Sequence, residues 1–566
     1  MKFSEMQYTR PDLDQIRAEG GALIEKLKNA ASADEAAQIY LDWDKMSAHI
    51  DTMFTLAYIR HSINTEDEFY DKEIEFLDEN MPHLQELSVG MMKVMLESPF
   101  RPQLEERFGA LMFRNAEIQL KTFDPAIIPD MQEENKLTTE YAKLLASAQI
   151  DFQGEKRTLA QMTPFKQSAD DETRRAAWQA EGEYYAANRA KLDQLYDDLT
   201  ALRTRMGRKL GYDNYVQLGY YRMQRNDYTK EDVERFRDAV RRYVVPLADR
   251  LYREQAKRIG VPYPLTFADA ALSFRSGNAR PAGSADDILA HAREMYHEMS
   301  PETAEFIDVM LENELMDVLA KKGKEGGGYC TGIADYKVPF IFANFNGTQG
   351  DVEVVTHEAG HAFAGYQARN IVPSANQNPT MESCEIHSMS MEFFAWPWAE
   401  GFFKGDTQKF YYGHLAGAIT FIPYGTMVDH FQHIVYENPD MTPDERHAAW
   451  KKLLGEYMPW LALDGSPTYG EGKGWQRQHH IYESPFYYID YCLAQTVALQ
   501  FWAKIQQNRE DAWKRYMALV SEGGRKTFSG LVATAGLDTP FGADALREVA
   551  ETATAWLDAF DKDALK

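Results

Sequence analysis

Signals that start helices recur along nearly the whole 566-residue chain, and they constrain it to a mainly helical fold. Ser32-Ala33-Asp34-Glu35 and Thr65-Glu66-Asp67-Glu68 fit the capping box, in which a hydroxyl and a carboxylate satisfy orphan N–H groups reciprocally. Ser300-Pro301-Glu302 and Thr442-Pro443-Asp444-Glu445 place proline at the first helical position, where its missing donor costs nothing. Between such starts, apolar residues return at helical spacing, as Val233, Phe236, Val240 and Tyr243 do. One stretch breaks the pattern. Residues 323–348 read as clustered glycines, a β-prone run from Val338 to Phe345 and a turn at Asn346-Gly347, which predicts a glycine loop and a sheet of two or more strands. No Ser or Thr follows a Gly-Lys pair there, so the glycines are not a phosphate-binding loop.

Composition narrows the function classes. With 44% hydrophobic residues the chain is an ordinary folded one, and its length gives a soft prior of roughly three to four domains. Asp and Glu number 87 against 61 Lys and Arg, a net charge of -26, which argues against nucleic-acid or anionic-membrane partners because both need a cationic face. Cys330, Cys384 and Cys492 are odd in number and widely spaced, so reduced thiols and a cytoplasmic location are expected. No apolar run approaches the ~18 residues of a membrane span, and no internal repeat of solenoid length occurs.

The chemistry is concentrated just after the break. Residues 351–366 contain His357, Glu358 and His361, the HExxH pattern. Histidines four apart leave one face of a helix a turn apart, so both imidazoles can reach one tetrahedral zinc. Glu358 is rotated off that face, where it can take a proton from an attacking water. The flanking Val354, Val355, Ala359, Ala362 and Phe363 predict a mostly buried helix, in which unpaired imidazoles would be costly.

A catalytic zinc needs a third protein ligand and an open position. A metzincin would have glycine and histidine where this chain has Ala364 and Gln367, so that class is excluded. Residues 381–396 offer Glu382 and Glu385, one turn apart. Glu385 is favoured because Ser388 and Glu392 continue its helical stripe and can hydrogen-bond the histidines; Glu382 is the alternative. His387 points off the stripe. A third segment, residues 469–491, leads from glycines through His479 and His480 to Tyr482, Tyr487, Tyr488 and Tyr491. Histidine and tyrosine are suitable donors to the oxyanion of a tetrahedral intermediate; Tyr488 and Tyr491 share a helical face that Tyr487 does not share with Tyr488.

Together THEAGHAFAGY, EIHSMSME and HIYESPFYYIDY resemble the thimet oligopeptidase/oligoendopeptidase F family of zinc metallopeptidases, most closely the oligoendopeptidase F branch with its Pz-peptidase-type members. The resemblance is specific over roughly residues 200–560. It implies a mainly α, two-lobed, zincin-like molecule with a deep channel and a small β-sheet near the active site. The expected division is an N-terminal helical lobe over 1–200 and a catalytic region over 201–566, forming one continuous body. It further implies one zinc per chain on His357, His361 and Glu385, with Glu358 as base, Ser388 and Glu392 behind the ligands, and endopeptidase action on short oligopeptides. Likeness to Pz-peptidases suggests collagen-derived peptides among them. His480, Tyr488 and Tyr491 match the family's oxyanion and substrate-binding residues, with His479 open as an alternative to His480. Ser484 stands where a further tyrosine is expected, so that donor is either missing or supplied by Tyr482.

The strand Phe340–Phe345, with Ala343 and Phe345, is expected to offer its edge to an extended peptide. Two readings compete with an endopeptidase: a peptidyl-dipeptidase or carboxypeptidase of related helical fold, and a non-catalytic zinc protein that binds peptides. Oligomeric state is not readable from the sequence.

Overall fold

The computed structural model describes residues 1–565, and helices build nearly all of it. Ser300 and Thr442 cap their helices with Pro301 and Pro443 at the first position, and Thr442 closes the full box with Glu445. Two starts differ from the sequence reading. The helix Glu68–Glu97 is capped by Asp67, while the Thr65 hydroxyl donates to the Gly323 carbonyl at 2.8 Å; a long-range acceptor outcompetes the local one. Ser32 caps the helix Ala33–Ile63, but Glu35 reaches back to the N–H of Ala31 instead of Ser32. The stripe through Val240 passes through a π-helical stretch, Val240–Val244, which rotates Tyr243 out to partial burial.

The largest core cluster draws residues from Met6 to Leu565, so the first and last segments share one interior. A smaller core, from Leu27 to Phe113, lies under the first five helices. The 39-residue helix Asp171–Lys209 runs unbroken through position 200, the expected lobe junction.

Among the described residues five strands interrupt the helices. The hairpin β1 (Ile150–Phe152) and β2 (Glu155–Arg157) stands apart from a three-stranded sheet of β3 (Met316–Leu319), β4 (Tyr329–Ile333) and β5 (Val338–Phe345). Its order is β3-β5-β4, with β3 parallel and β4 antiparallel to β5. The expected edge is therefore corrected: β5 is the central strand, with Ala343 and Phe345 buried, and β4 is the edge on the side of the site. A run of eight residues with Asn344 alone polar suits a strand covered on both faces and paired on both sides.

Candidate active site

The HExxH helix, Gly350–Ala368, begins where Asp351 accepts the backbone N–H groups of Asn346 and Gly347 at 2.9 and 2.8 Å, fixing the turn out of β5. It packs on the helix Met381–Phe394 at Gly360, where a Cβ would stand 2.7 Å from Ser388 Cα and 2.8 Å from the His387 carbonyl oxygen. Glycine inside a helix costs about 1 kcal/mol relative to alanine. Here it permits the backbone approach that brings Glu385 to the histidines.

The Nε2 atoms of His357 and His361 each lie 3.3 Å from Glu385 Oε2, and the three candidate ligand atoms all lie within 4.8 Å of one another. Two imidazoles and one carboxylate suit zinc, with room for a fourth position. Burial opposes ionisation of Glu385, but the two imidazoles outweigh it and hold its carboxyl well below the usual range, so it is an anionic donor. Glu382 does not join the group. It is fully buried and accepts from the Thr380 hydroxyl at 2.8 Å.

A relay orients His357. Trp396 Nε1–H donates to His414 Nδ1 at 3.0 Å, so His414 carries its proton on Nε2 and donates to Glu392 Oε2 at 2.7 Å. Glu392 Oε1 in turn accepts from His357 Nδ1 at 2.7 Å, which directs His357 Nε2 at Glu385. Ser388 behaves differently from its expected role: its hydroxyl donates to Glu385 Oε2 at 3.0 Å and touches neither histidine. Its side chain is one turn from Glu385 on the same helix, where residues three apart are neighbours.

The site opens into a cavity of about 530 Å³. Residues 328–334, including β4, line one side; Glu358, His387, His480, Tyr487 and Tyr491 line others. Burial raises the pKa of Glu358, a shift that His357 and His361 oppose. His387 is buried, and burial pushes its pKa down to about 3, so it is neutral. Cys330 and Cys384 border the cavity as free thiols whose ionisation burial suppresses.

In the last segment the structure sorts the candidates. His480 Nε2 lies 3.2 Å from the Tyr491 hydroxyl, while His479 is half exposed and packs edge-on against Tyr141 outside the cavity lining. Tyr424 donates to Gln478 Oε1 at 2.8 Å, which turns the amide nitrogen toward His480 Nδ1 at 2.9 Å and leaves the His480 proton on Nε2. Tyr482 is corrected from substrate contact to core: it is fully buried, stacks 4.0 Å from Tyr141 and donates to the Leu192 carbonyl at 3.2 Å. Tyr488 stands behind His480, its ring 4.9 Å away and outside the cavity lining.

Tyr487, unassigned by its helical face, instead donates to Glu385 Oε1 at 2.5 Å. Its backbone is already helical, with φ -69° and ψ -35°, and its ring lies 4.9 Å from that of Tyr491, so the two share the face one turn apart. The other missed residues are His414, Gly360 and β4. Only Gly360 carried a local sign, as a helix-weakening residue inside a buried motif. His430, His433 and His447 hydrogen-bond Tyr457, Tyr220 and Trp475 in the interior.

The sequence and fold place this chain among known proteins. Residues 3–123 match the Peptidase M3 N-terminal domain and residues 286–551 match Peptidase family M3. The fold superposes on PZ peptidase A with an inhibitor, at 45% identity and a TM-score of 0.98 over 100% of both chains. It also superposes on a Bacillus anthracis strain Ames protein assigned as an oligoendopeptidase F, at 44% identity and a TM-score of 0.94 over 100% of this chain and 99% of that one. Oligopeptidase PepF of Bacillus subtilis is 24% identical over 247 residues, covering 42% of this chain and 36% of the relative. The Borreliella burgdorferi Oligoendopeptidase F homolog is 28% identical over 227 residues, covering 38% and 37%. The chain thus matches a little over a third of the length of these two curated relatives. It belongs to peptidase family M3, on the oligoendopeptidase F side. Among the described residues no helix is long and apolar enough to cross a membrane.

Proposed function

We propose that the protein is a zinc-dependent endopeptidase of short oligopeptides. The observation that carries this reading is the convergence of His357, His361 and Glu385 beside Glu358 in a cavity bordered by the edge strand β4. When bound there, zinc supplies Lewis acidity that polarises a carbonyl and eases deprotonation of water. Glu358 accepts the proton of the attacking water and passes it to the leaving amine. His480 Nε2–H and the Tyr491 hydroxyl donate to the developing oxyanion; burial first, and the Glu385 charge second, keep the Tyr491 phenol protonated. Tyr487 holds the Glu385 carboxylate in place.

An extended peptide pairs with β4, whose backbone groups bind main chain without regard to side chains. A recessed cavity admits flexible peptides and excludes folded chains. Digestion of a peptide mixture read by mass spectrometry, with and without chelator, tests the proposal. Internal cuts in short peptides, abolished by chelator and restored by zinc, are expected. Release of C-terminal dipeptides alone would replace the endopeptidase reading with the peptidyl-dipeptidase one, and full activity in chelator would overturn the metal.

A further inference from the structure

Between the helix His479–Glu483 and the helix Tyr488–Gln507 the chain turns at Phe486, whose φ is +67°. That region suits glycine, and a bulky aromatic occupies it only when its surroundings over-determine it. The surroundings here do so through both backbone groups. Phe486 N–H donates to Gln432 Oε1 at 2.9 Å, and the Phe486 carbonyl accepts from Arg225 Nη2, which also reaches Asp490 Oδ1 at 3.1 Å. Arg225, Gln432 and Asp490 are all buried. The ring is fully buried too, with His433 at 4.9 Å and Tyr436 at 5.5 Å. Beneath it, a Cβ on Gly219 would fall 2.5 Å from Phe486 Cδ2, so glycine there makes room for the ring.

The residue after this elbow is Tyr487, on Glu385, and Tyr491 on His480 follows one turn later. We propose that Gln432 and Arg225, acting through Phe486, are positioning residues that set where Tyr487 and Tyr491 stand over the site. Neither lines the cavity, and both come from segments remote in sequence: Gln432 from the helix Thr407–Glu437, and Arg225 from just beyond the helix Tyr215–Arg222. The proposal rests on the peptidase reading for its catalytic consequence, and on the elbow geometry for the clamp itself.

Gln432→Leu removes the acceptor at similar size, and Gln432→Glu keeps it. Hydrogen exchange measured by mass spectrometry over residues 484–491 should be faster in Gln432→Leu and close to wild type in Gln432→Glu. Unchanged exchange in Gln432→Leu overturns the clamp whatever the protein catalyses. For peptide hydrolysis, Gln432→Leu should lower kcat about tenfold with KM within about twofold, because donors that act only in the transition state have been displaced. In a Tyr487→Phe/Tyr491→Phe background the same change should cost less than about twofold, since the positioned hydroxyls are already gone. An equal loss in both backgrounds overturns the positioning role. Phe486→Gly, which accepts the φ but loses the ring, provides a second route to the same kcat loss should Gln432→Leu fold poorly. A wild type that cleaves no peptide would remove the peptidase reading, and exchange would then decide the clamp alone.

Discussion

Glu358 is buried in the cavity wall beside the two histidines but is not among the three groups that converge as ligands. Glu358→Gln keeps the shape and loses the base, so metal content by elemental analysis should match wild type while kcat falls by at least about 10²–10⁴. Glu385→Ala should do the reverse to the metal, leaving substoichiometric zinc; full occupancy in that variant would show that Glu385 is not the third ligand. His480 gives a pH prediction. Burial, helped by the charge of His479, pushes its pKa down to about 4, so it is neutral across ordinary assay conditions. His480→Gln should therefore lower kcat by a constant factor from pH 5 to 9 without changing the shape of the profile. A vanished limb in that variant would mean His480 titrates in the wild type. At this scale the ligand set was legible, because His357 and His361 report their shared face through spacing within one helix. Tyr487 shares no face with Tyr488, and its signal lies only in the four-residue spacing to Tyr491, whose ring stands 4.9 Å away.

Elements meet the site through close approaches that leave faint traces in the sequence. The HExxH helix touches the Glu385 helix at Gly360, with backbone atoms where a Cβ would go. Gly360→Ala should lower the thermal midpoint, by the roughly 1–3 kcal/mol typical of overpacking, and weaken metal retention by pushing Glu385 outward. Gly365→Ala on the same helix meets nothing within 4 Å and should leave the midpoint unchanged or raise it by the helix preference for alanine. Equal effects at the two positions would refute the close-packing account. The sheet shows the limit of local pattern. The run Val338–Phe345 announces a strand, yet nothing in it says whether its neighbours leave an edge free; pairing with β3 and β4, one on each side, makes it central. The glycine-rich approach to β4 is irregular, as its composition predicts, but the edge strand after it is masked by its own glycine and threonine.

Across the whole molecule, buried charge ties the first third of the chain to the catalytic segments. Glu134 pairs with Arg203 at 2.7 Å and Arg222 at 2.7 Å, and Arg203 also donates to the Tyr482 carbonyl at 2.5 Å. Burial raises the Glu134 pKa, but Arg222 and Arg203 outweigh it and hold it at about 2, below its ordinary 4.5. A depressed carboxylate stabilises above its unfolded pKa and loses that contribution as pH falls. Glu134 should thus contribute on the order of 3 kcal/mol at neutral pH, fading from about pH 5 toward pH 2. Urea midpoints of wild type and Glu134→Gln should differ most near pH 7 and converge on acidification; a constant gap would show that the pair is not ionised as described. The net charge of -26 gave no hint of this joint, because composition counts charges without placing them. The sequence by itself determined a helical protein, the one stretch where helices give way to strands, and the histidines and glutamate of the site, since each of these is written in spacing along a single element. Only the tertiary structure decided which strand edge is free, which tyrosine reaches Glu385, and that His414 stands behind the Glu392 that holds His357. Periodicity tells which residues share a face, and packing alone tells which faces meet.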